Sequence, residues 1–325
     1  MKKISYLNHG GRLLLAVLAL GLGLQTTNAV MLFGSGDPAY NTTPPTGALQ
    51  DSGWQYEGQW GGFLGTPVAP HYFIAAQHIG GSIGQAFVYD GVTYTTTAYW
   101  NDPNSDLRLW QVDGAFPMYA PLYATNDEVG KTLVVIGRGT QRGEPVMQTL
   151  VETVYTTNVV NLKTLGINRK TAQTEFPDAT FQGPNMIVVT SELVTNTVLK
   201  GWQAGASDRV MRWGQNQVTA AGNSLVAAFT GNFGPDEGYL SGGDSSGAVF
   251  IQDNGVWKLA GINYGVDGPF QLTADGPAFY GAIFDENAIY VGGVLMPNDG
   301  VARPAYYYAT RISPRIDWIQ SIINQ

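Results

Sequence analysis

The segment Leu240-Ser241-Gly242-Gly243-Asp244-Ser245-Ser246-Gly247-Ala248-Val249-Phe250 sets a serine between glycines, directly after an aspartate, at the mouth of an apolar strand. A serine hydroxyl is a weak nucleophile alone and needs a neighbouring base and a set of donors for a developing oxyanion. Glycines at such a place let the backbone turn sharply and aim its N–H groups at a reacting carbonyl. The same residues also suit a plain Gly/Ser loop joining two strands. The choice between these readings depends on whether the chain also holds a base, an orienting acid and a fitting scaffold.

The scaffold reads as all-β. Of 325 residues 44% are hydrophobic, 42 are glycine and only 13% are charged, a balance that favours strands and tight turns over long amphipathic helices. Tyr72–Ala76 is an apolar run of buried-strand character, and Leu107–Val112 alternates apolar and polar residues. Ala86–Tyr89, Asp90-Gly91 and Val92–Thr95 form a hairpin pattern, because Asp-Gly suits a type I′ turn. Lys131–Ile136 is a further strand, broken by Gly137-Arg138-Gly139. Strands return near Val218 and over Leu225–Phe229, and the hairpin Ala248–Gln252, Asp253-Asn254-Gly255, Val256–Asn263 follows the serine segment. Residues 30–53 read as an irregular lead-in, and residues 150–199, rich in Thr and Asn, as an elaboration without core strands of its own. At the C-terminus the period changes. Ser313 can cap, Pro314 suits a first helical position, and Ile316, Ile319 and Ile323 recur at helical spacing, predicting a helix over 313–323.

The N-terminus reads as a secretory signal peptide. Lys2, Lys3 and Arg12 precede the apolar run Leu13–Leu24, and the small-residue stretch to Ala29 offers a cleavage site. The apolar run is short of the roughly 20 residues a membrane span needs, so cleavage after Ala29 and a secreted or periplasmic location are expected, with no membrane partner afterwards. Removing residues 1–29 takes 17 basic and 25 acidic residues to 14 and 25, a net charge of −11. Such an acidic surface argues against nucleic acid as a partner. The absence of cysteine excludes cysteine catalysis and thiolate metal sites, and three histidines in all make a multi-His metal site unexpected. No cofactor is expected.

The base must be one of those histidines. His9 leaves with the signal peptide, and His71, in the turn Val68-Ala69-Pro70-His71, reads as a solvated loop residue. His78 closes the buried strand at Gln77-His78 before Ile79-Gly80-Gly81, a rigid edge suited to a general base. A purely structural histidine would fit there too. Its context is Ala75-Ala76-Gln77-His78, which resembles the Ala-Ala-His stretch of the chymotrypsin-like (trypsin-fold) serine proteases. Ser105-Asp106-Leu107-Arg108-Leu109 resembles the stretch that carries their orienting acid, and Gly243-Asp244-Ser245-Ser246-Gly247 their nucleophile loop. Tyr308-Ala309-Thr310-Arg311-Ile312 and Ile316-Asp317-Trp318-Ile319 resemble their closing strand and helix. The pattern Gly243-x-Ser245-x-Gly247 also satisfies the nucleophile elbow of α/β-hydrolases, but there the histidine follows the serine. No histidine follows His78, and Val249-Phe250-Ile251 runs on as a strand where an elbow needs a helix.

The resemblance implies two antiparallel six-stranded barrels with a C-terminal helix, barrel 1 over about 54–125 and barrel 2 over about 126–312, and the site between them. It implies an exported serine endopeptidase acting on protein or peptide, with Ser245 as nucleophile, His78 as base, Asp106 as orienting acid and the N–H groups of Gly243 and Ser245 as oxyanion donors. Asp102 is the rival to Asp106, and Ser241 and Ser246 are rivals to Ser245. Tyr239 would match the floor of the specificity pocket and Tyr306 a wall that makes it shallow, while Asn263-Tyr264-Gly265 would pair with substrate; a small or apolar side chain is then expected there. Two departures stand out: Ser246 and Ala248 replace the family's Gly and Pro, and no Ile-Val-Gly-Gly-like terminus is present. Activation by a freed N-terminus is therefore not expected, and Asp244 needs another partner. These departures also motivate the alternative of a binding or scaffold protein on a protease fold.

Overall fold

A computed structural model describes residues 30–325; the expected signal peptide lies outside the described residues. The lead-in is tied to the body by β1 (Met31–Leu32). Barrel 1 follows, with β2 (Gly58–Trp60), β3 (Phe63–Ala69), β4 (Tyr72–Ala76), β5 (Ala86–Tyr89), β6 (Val92–Asn101) and β7 (Leu107–Val112). These strands close in the order β2-β3-β4-β7-β6-β5, all antiparallel. The two-residue turn at Asp90-Gly91, both with positive φ, joins β5 to β6 as its chemistry predicts. Aromatic rings fill this barrel: Phe73 stacks on Phe87 at 4.0 Å and Trp60 meets Trp110 at 4.9 Å.

The second half opens with β8 (Thr132–Gly137) and a long excursion: β9 (Thr140–Asn161), α1 (Leu162–Leu165), α2 (Arg169–Glu175), β10 (Thr180–Gln182) and β11 (Asn185–Ser207). Next come β12 (Arg212–Ala221), β13 (Ser224–Ala228), β14 (Gly238–Tyr239), β15 (Ala248–Asp253) and β16 (Val256–Val266). A second excursion carries β17 (Phe270–Gln271), β18 (Gly281–Ile283), β19 (Tyr290–Val291) and β20 (Val294–Leu295) before β21 (Tyr306–Arg311) and α3 (Ile316–Ile323). Barrel 2 closes as β12-β13-β21-β16-β15-β8. The fold is therefore two closed six-stranded antiparallel barrels with a C-terminal helix, an architecture consistent with the chymotrypsin-like fold.

One apolar cluster joins the barrels. Ile74, Leu107 and Leu109 from barrel 1 pack with Val134, Ile136, Phe250 and Ile262 from barrel 2, and Ile319 and Ile322 of α3 seal it. Each fully buried Leu, Ile or Phe contributes about 1.5–3 kcal/mol, so this shared core holds the two barrels in register across the cleft.

Two segments differ from the sequence reading. The stretch expected to be an elaboration over 150–199 is an antiparallel ribbon that begins at Thr140 and ends at Ser207, with β9 and β11 paired almost throughout. Most of its side chains face solvent on both sides, which is why Thr and Asn are admitted. Its helical tip closes on a small core of Leu162, Ala172 and Met186. The lead-in, too, is more than a linker. Met31 and Leu32 are buried, β1 pairs with β14, and Arg142 donates to the carbonyls of Leu32 and Phe33 at 3.2 and 2.7 Å.

Candidate active site

The contact between His78 and Asp106 is set by strand register in barrel 1. Ala76, the last residue of β4, lies opposite Leu107, the first of β7, so the residues just beyond each end become neighbours. The Gln77 N–H donates to the Asp106 carbonyl at 2.7 Å, and the His78 N–H to Asp106 Oδ1 at 2.8 Å. The imidazole then donates from Nδ1 to Asp106 Oδ2 at 2.5 Å, leaving Nε2 to accept from Ser245 Oγ at 2.8 Å. One backbone contact and one ring contact thus hold the same carboxylate. The rivals lie elsewhere: Asp102 is buried against Arg315 at 3.4 Å and Ser105 Oγ, and His71 donates to the carbonyl of Gly114.

The Ser245 loop has no ladder to hold it and relies on buried polar groups. Asp244 is 1% exposed and its two oxygens accept four hydrogen bonds. Oδ1 takes the N–H of Gly139 at 2.7 Å and of Val30 at 3.4 Å; Oδ2 takes the N–H and the hydroxyl of Ser241 at 2.7 and 2.8 Å. Burial pushes this carboxyl up to about 6, while those donors pull the other way. The break at Gly137-Arg138-Gly139 makes room for it: a Cβ on Gly139 would lie 2.8 Å from Asp244 Cγ and 2.5 Å from Ser241 Oγ. Val30 reaches the site because β1 draws the lead-in along β14. The partners that the sequence left unassigned for Asp244 are thus the backbone of Val30 and Gly139 and both donors of Ser241.

Ser246 makes one contact that glycine could not. It sits at φ +69°, fully buried, its N–H donates to the Asn263 carbonyl at 3.0 Å, and its hydroxyl accepts the Ala76 N–H at 2.9 Å. This last bond ties the Ser245 loop to the strand that carries His78. Asn263 is buried as well, and its amide donates to the carbonyls of Ile136 and Asp244 at 2.8 and 3.0 Å. Gly243 has φ +99° and lies so close to Gly139 that a Cβ would come within 2.9 Å of its Cα. The N–H groups of Gly243 and Ser245 meet no protein acceptor among the described residues.

A cavity of about 540 Å³ opens beside Ser245, walled chiefly by Ala204, Leu240, Val266, Phe279 and Tyr280, with Asn263, Tyr264 and Gly265 along one side. Tyr264 is half exposed and turns an edge toward the His78 ring at 6.1 Å. Tyr239 and Tyr306, expected as floor and wall, do not line it. The Tyr239 ring is fully buried and its hydroxyl donates to the Tyr306 carbonyl at 3.0 Å. The walls come instead from the two excursions, where Ala204 of β11 donates its N–H to the Tyr280 carbonyl just before β18 at 2.7 Å. Sequence reasoning missed Ala204, Phe279 and Tyr280 because they meet only through that pairing. Among the described residues no three His, Asp or Glu side chains gather as metal ligands would, and no helix is long and apolar enough to cross a membrane. No family model matches the chain, and no curated protein matches it in sequence.

Proposed function

We propose that the chain is an exported serine endopeptidase. The observation that carries this reading is the continuous hydrogen-bond chain from Asp106 through His78 to Ser245, beside two N–H groups without protein acceptors. In this mechanism Ser245 Oγ attacks the scissile carbonyl as its proton passes to His78 Nε2, and Asp106 stabilises the imidazolium. The oxyanion draws on Gly243 and Ser245. His78 returns the proton to the leaving amine, and water then repeats the sequence to release the acyl group and restore Ser245. The cavity's volume and apolar walls favour a bulky aliphatic or aromatic side chain before the scissile bond, larger than the shallow pocket read from sequence.

Of the two departures that motivate the alternative of a non-catalytic scaffold protein, Ser246 has a structural use in its bond to the Ala76 N–H, which supports the protease reading. Secretion, or export to a periplasm, belongs to the same proposal, with cleavage after Ala29. Val30 would then begin the mature chain, placing an ammonium in place of an amide beside the buried Asp244. A fluorophosphonate probe is expected to label mature protein at Ser245 and to leave His78→Ala unlabelled. Labelling at a different serine, or none in a chain whose β-sheet circular dichroism is intact, would overturn the reading.

A further inference from the structure

Two arginines beside the nucleophile loop stand without a carboxylate. Arg138, between the glycines that admit Asp244, donates from Nε to the carbonyl of Arg209 at 2.8 Å. Arg209 is exposed and in the left-handed region at φ +58°. Its guanidinium carbon lies over the turn between β2 and β3 of barrel 1, where a Cβ on Gly62 would be 3.7 Å away. Arg212, Arg303, Arg311 and Arg315 each pair with an acid, and Arg108, Arg142 and Arg169 lie over aromatic rings, whereas Arg138 and Arg209 have neither kind of partner among the described residues. Asp208, the adjacent acid, is held by Arg212 at 2.9 Å and by the Val210 N–H at 2.6 Å. Burial, and then the charge of Arg209, lower the pKa of Arg138 from its ordinary value, with Asp208 offsetting in part. Two neighbouring cations left unpaired on a chain rich in carboxylates form a site of unsatisfied positive potential.

Their position relative to Ser245 gives that potential a use. The wall of Tyr264, Gly265 and Val266 and the large cavity take up one side of the serine, where the acyl portion of a substrate would lie. Neither arginine lines that cavity, although the Arg138 backbone adjoins the serine loop, its carbonyl 3.7 Å from a Cβ built on Gly243. With the cavity taken by the acyl side, a leaving-group peptide directed toward barrel 1 would meet this pair, since Arg138 bonds to Arg209 and Arg209 reaches Gly62. Arginine's planar fork suits a carboxylate, by bidentate bonds that a neutral amide cannot match.

Resting on the protease reading, we propose that Arg138 and Arg209 form a carboxylate-binding subsite on the leaving-group side of Ser245. The favoured substrates then carry an acidic side chain, or a free C-terminal carboxylate, within the first few residues after the scissile bond.

Quenched fluorescent peptides that differ only in Glu, Gln or Lys at each of those positions, all with amidated C-termini, test this. A matching Gln peptide with a free acid terminus separates the two carboxylate sources. At low salt the Glu or free-acid peptide is expected to exceed Gln by about tenfold in kcat/KM, and Lys to fall below Gln. Half-molar NaCl should shrink the ratio, and Arg138→Gln and Arg209→Gln should each narrow it severalfold. Equal rates for Glu, Gln and free acid, or a preference that survives both substitutions, would overturn the subsite. Binding of the leaving-group peptides to Ser245→Ala protein, followed by fluorescence anisotropy, reads the same preference without turnover. Charge-selective binding with no cleavage by the wild type would sink the protease reading and keep the subsite; cleavage without charge selectivity would do the reverse.

Discussion

The two barrels reach the same closed topology with unequal means. Barrel 1 runs from Gly58 to Val112 with short connections, whereas the six strands of barrel 2 are spread from Thr132 to Arg311 and interrupted by two excursions. His78 and Asp106 sit one or two residues beyond paired strand ends and inherit their placement from a backbone ladder. Ser245 sits on a loop held by the loop's own side chains Asp244, Ser241 and Ser246, bonded to one another and to the backbone of Gly139 and Ala76, and by Asn263 of β16. A ladder distributes its constraint over many bonds, while a buried polar network concentrates it in a few. Substitutions beside Ser245 should therefore affect stability and activity together, and substitutions of the ring and its acid should affect activity alone.

The largest effects test that division directly. Ser245→Ala and His78→Ala should each lower kcat by about 10⁶ with little change in melting temperature, because each group acts as part of one unit. Asp106→Asn should cost about 10⁴, as the ring loses its anionic partner while the His78 N–H keeps an oxygen to donate to. Peptide hydrolysis and thermal unfolding, measured on the same samples, check both halves. A melting temperature that collapses in Ser245→Ala would break the comparison.

Gly139→Ala probes the opposite kind of constraint. Its Cβ would intrude on Ser241 Oγ at 2.5 Å and on Asp244 Cγ at 2.8 Å, so the loop must shift and the oxyanion donors with it. A lost donor typically costs about 10²–10³ in kcat, and here a drop in stability should accompany it. Hydrolysis rates paired with urea unfolding decide; loss of activity at unchanged stability would mean the loop is not held by this packing.

Asp244 sharpens the comparison through pH. A carboxyl raised to about 6 by burial keeps its proton longer in the folded chain than in the unfolded one, where it titrates near 4. Folding stability is then greatest below about pH 4 and falls as pH rises toward 6, by roughly 3 kcal/mol in the limit of a single isolated group. That holds while residue 30 contributes an amide. With Val30 as a free terminus, its ammonium favours the ionised carboxylate and the decline should flatten. Melting temperatures between pH 4 and 7 for a chain beginning at Val30 and for one carrying extra residues before it provide the test; parallel curves would remove the ammonium from the account.

What could be read from the chain divides along the same line. His78, Asp106 and Ser245 stand in local motifs at strand ends, and Asp90-Gly91 or Asn254-Gly255 announce their turns by their own chemistry, so adjacent residues carry the information. The cavity walls have no such signature. Ala204 and Tyr280 are 76 positions apart in the numbering and meet because β11 pairs with β18. Tyr239 and Tyr306 had suitable positions in the motif frame but are engaged with each other. The ribbon was obscured because a strand pair exposed on both faces lacks the apolar alternation that marks a half-buried strand. At two residues, Met31–Leu32, β1 is too short for a period to show beside the Gly and Pro residues that follow it.

Ser246 gives the smallest and most discriminating test, because two opposed terms meet at one residue. Its left-handed backbone at φ +69° costs a non-glycine residue about 1–2 kcal/mol, so glycine would relieve strain. Its hydroxyl, however, accepts the buried Ala76 N–H, and orphaning such a donor costs about 1–3 kcal/mol. Ser246→Ala loses the acceptor and keeps the strain; Ser246→Gly loses the acceptor and sheds it. Alanine should therefore be the less stable by about 1 kcal/mol, with glycine close to the wild type, as read from urea midpoints at matched slopes. If glycine proves as destabilising as alanine, backbone strain contributes nothing here. If both match the wild type, the bond between Ser246 and Ala76 does not couple the two barrels, and His78 and Ser245 are aligned by the shared apolar core alone.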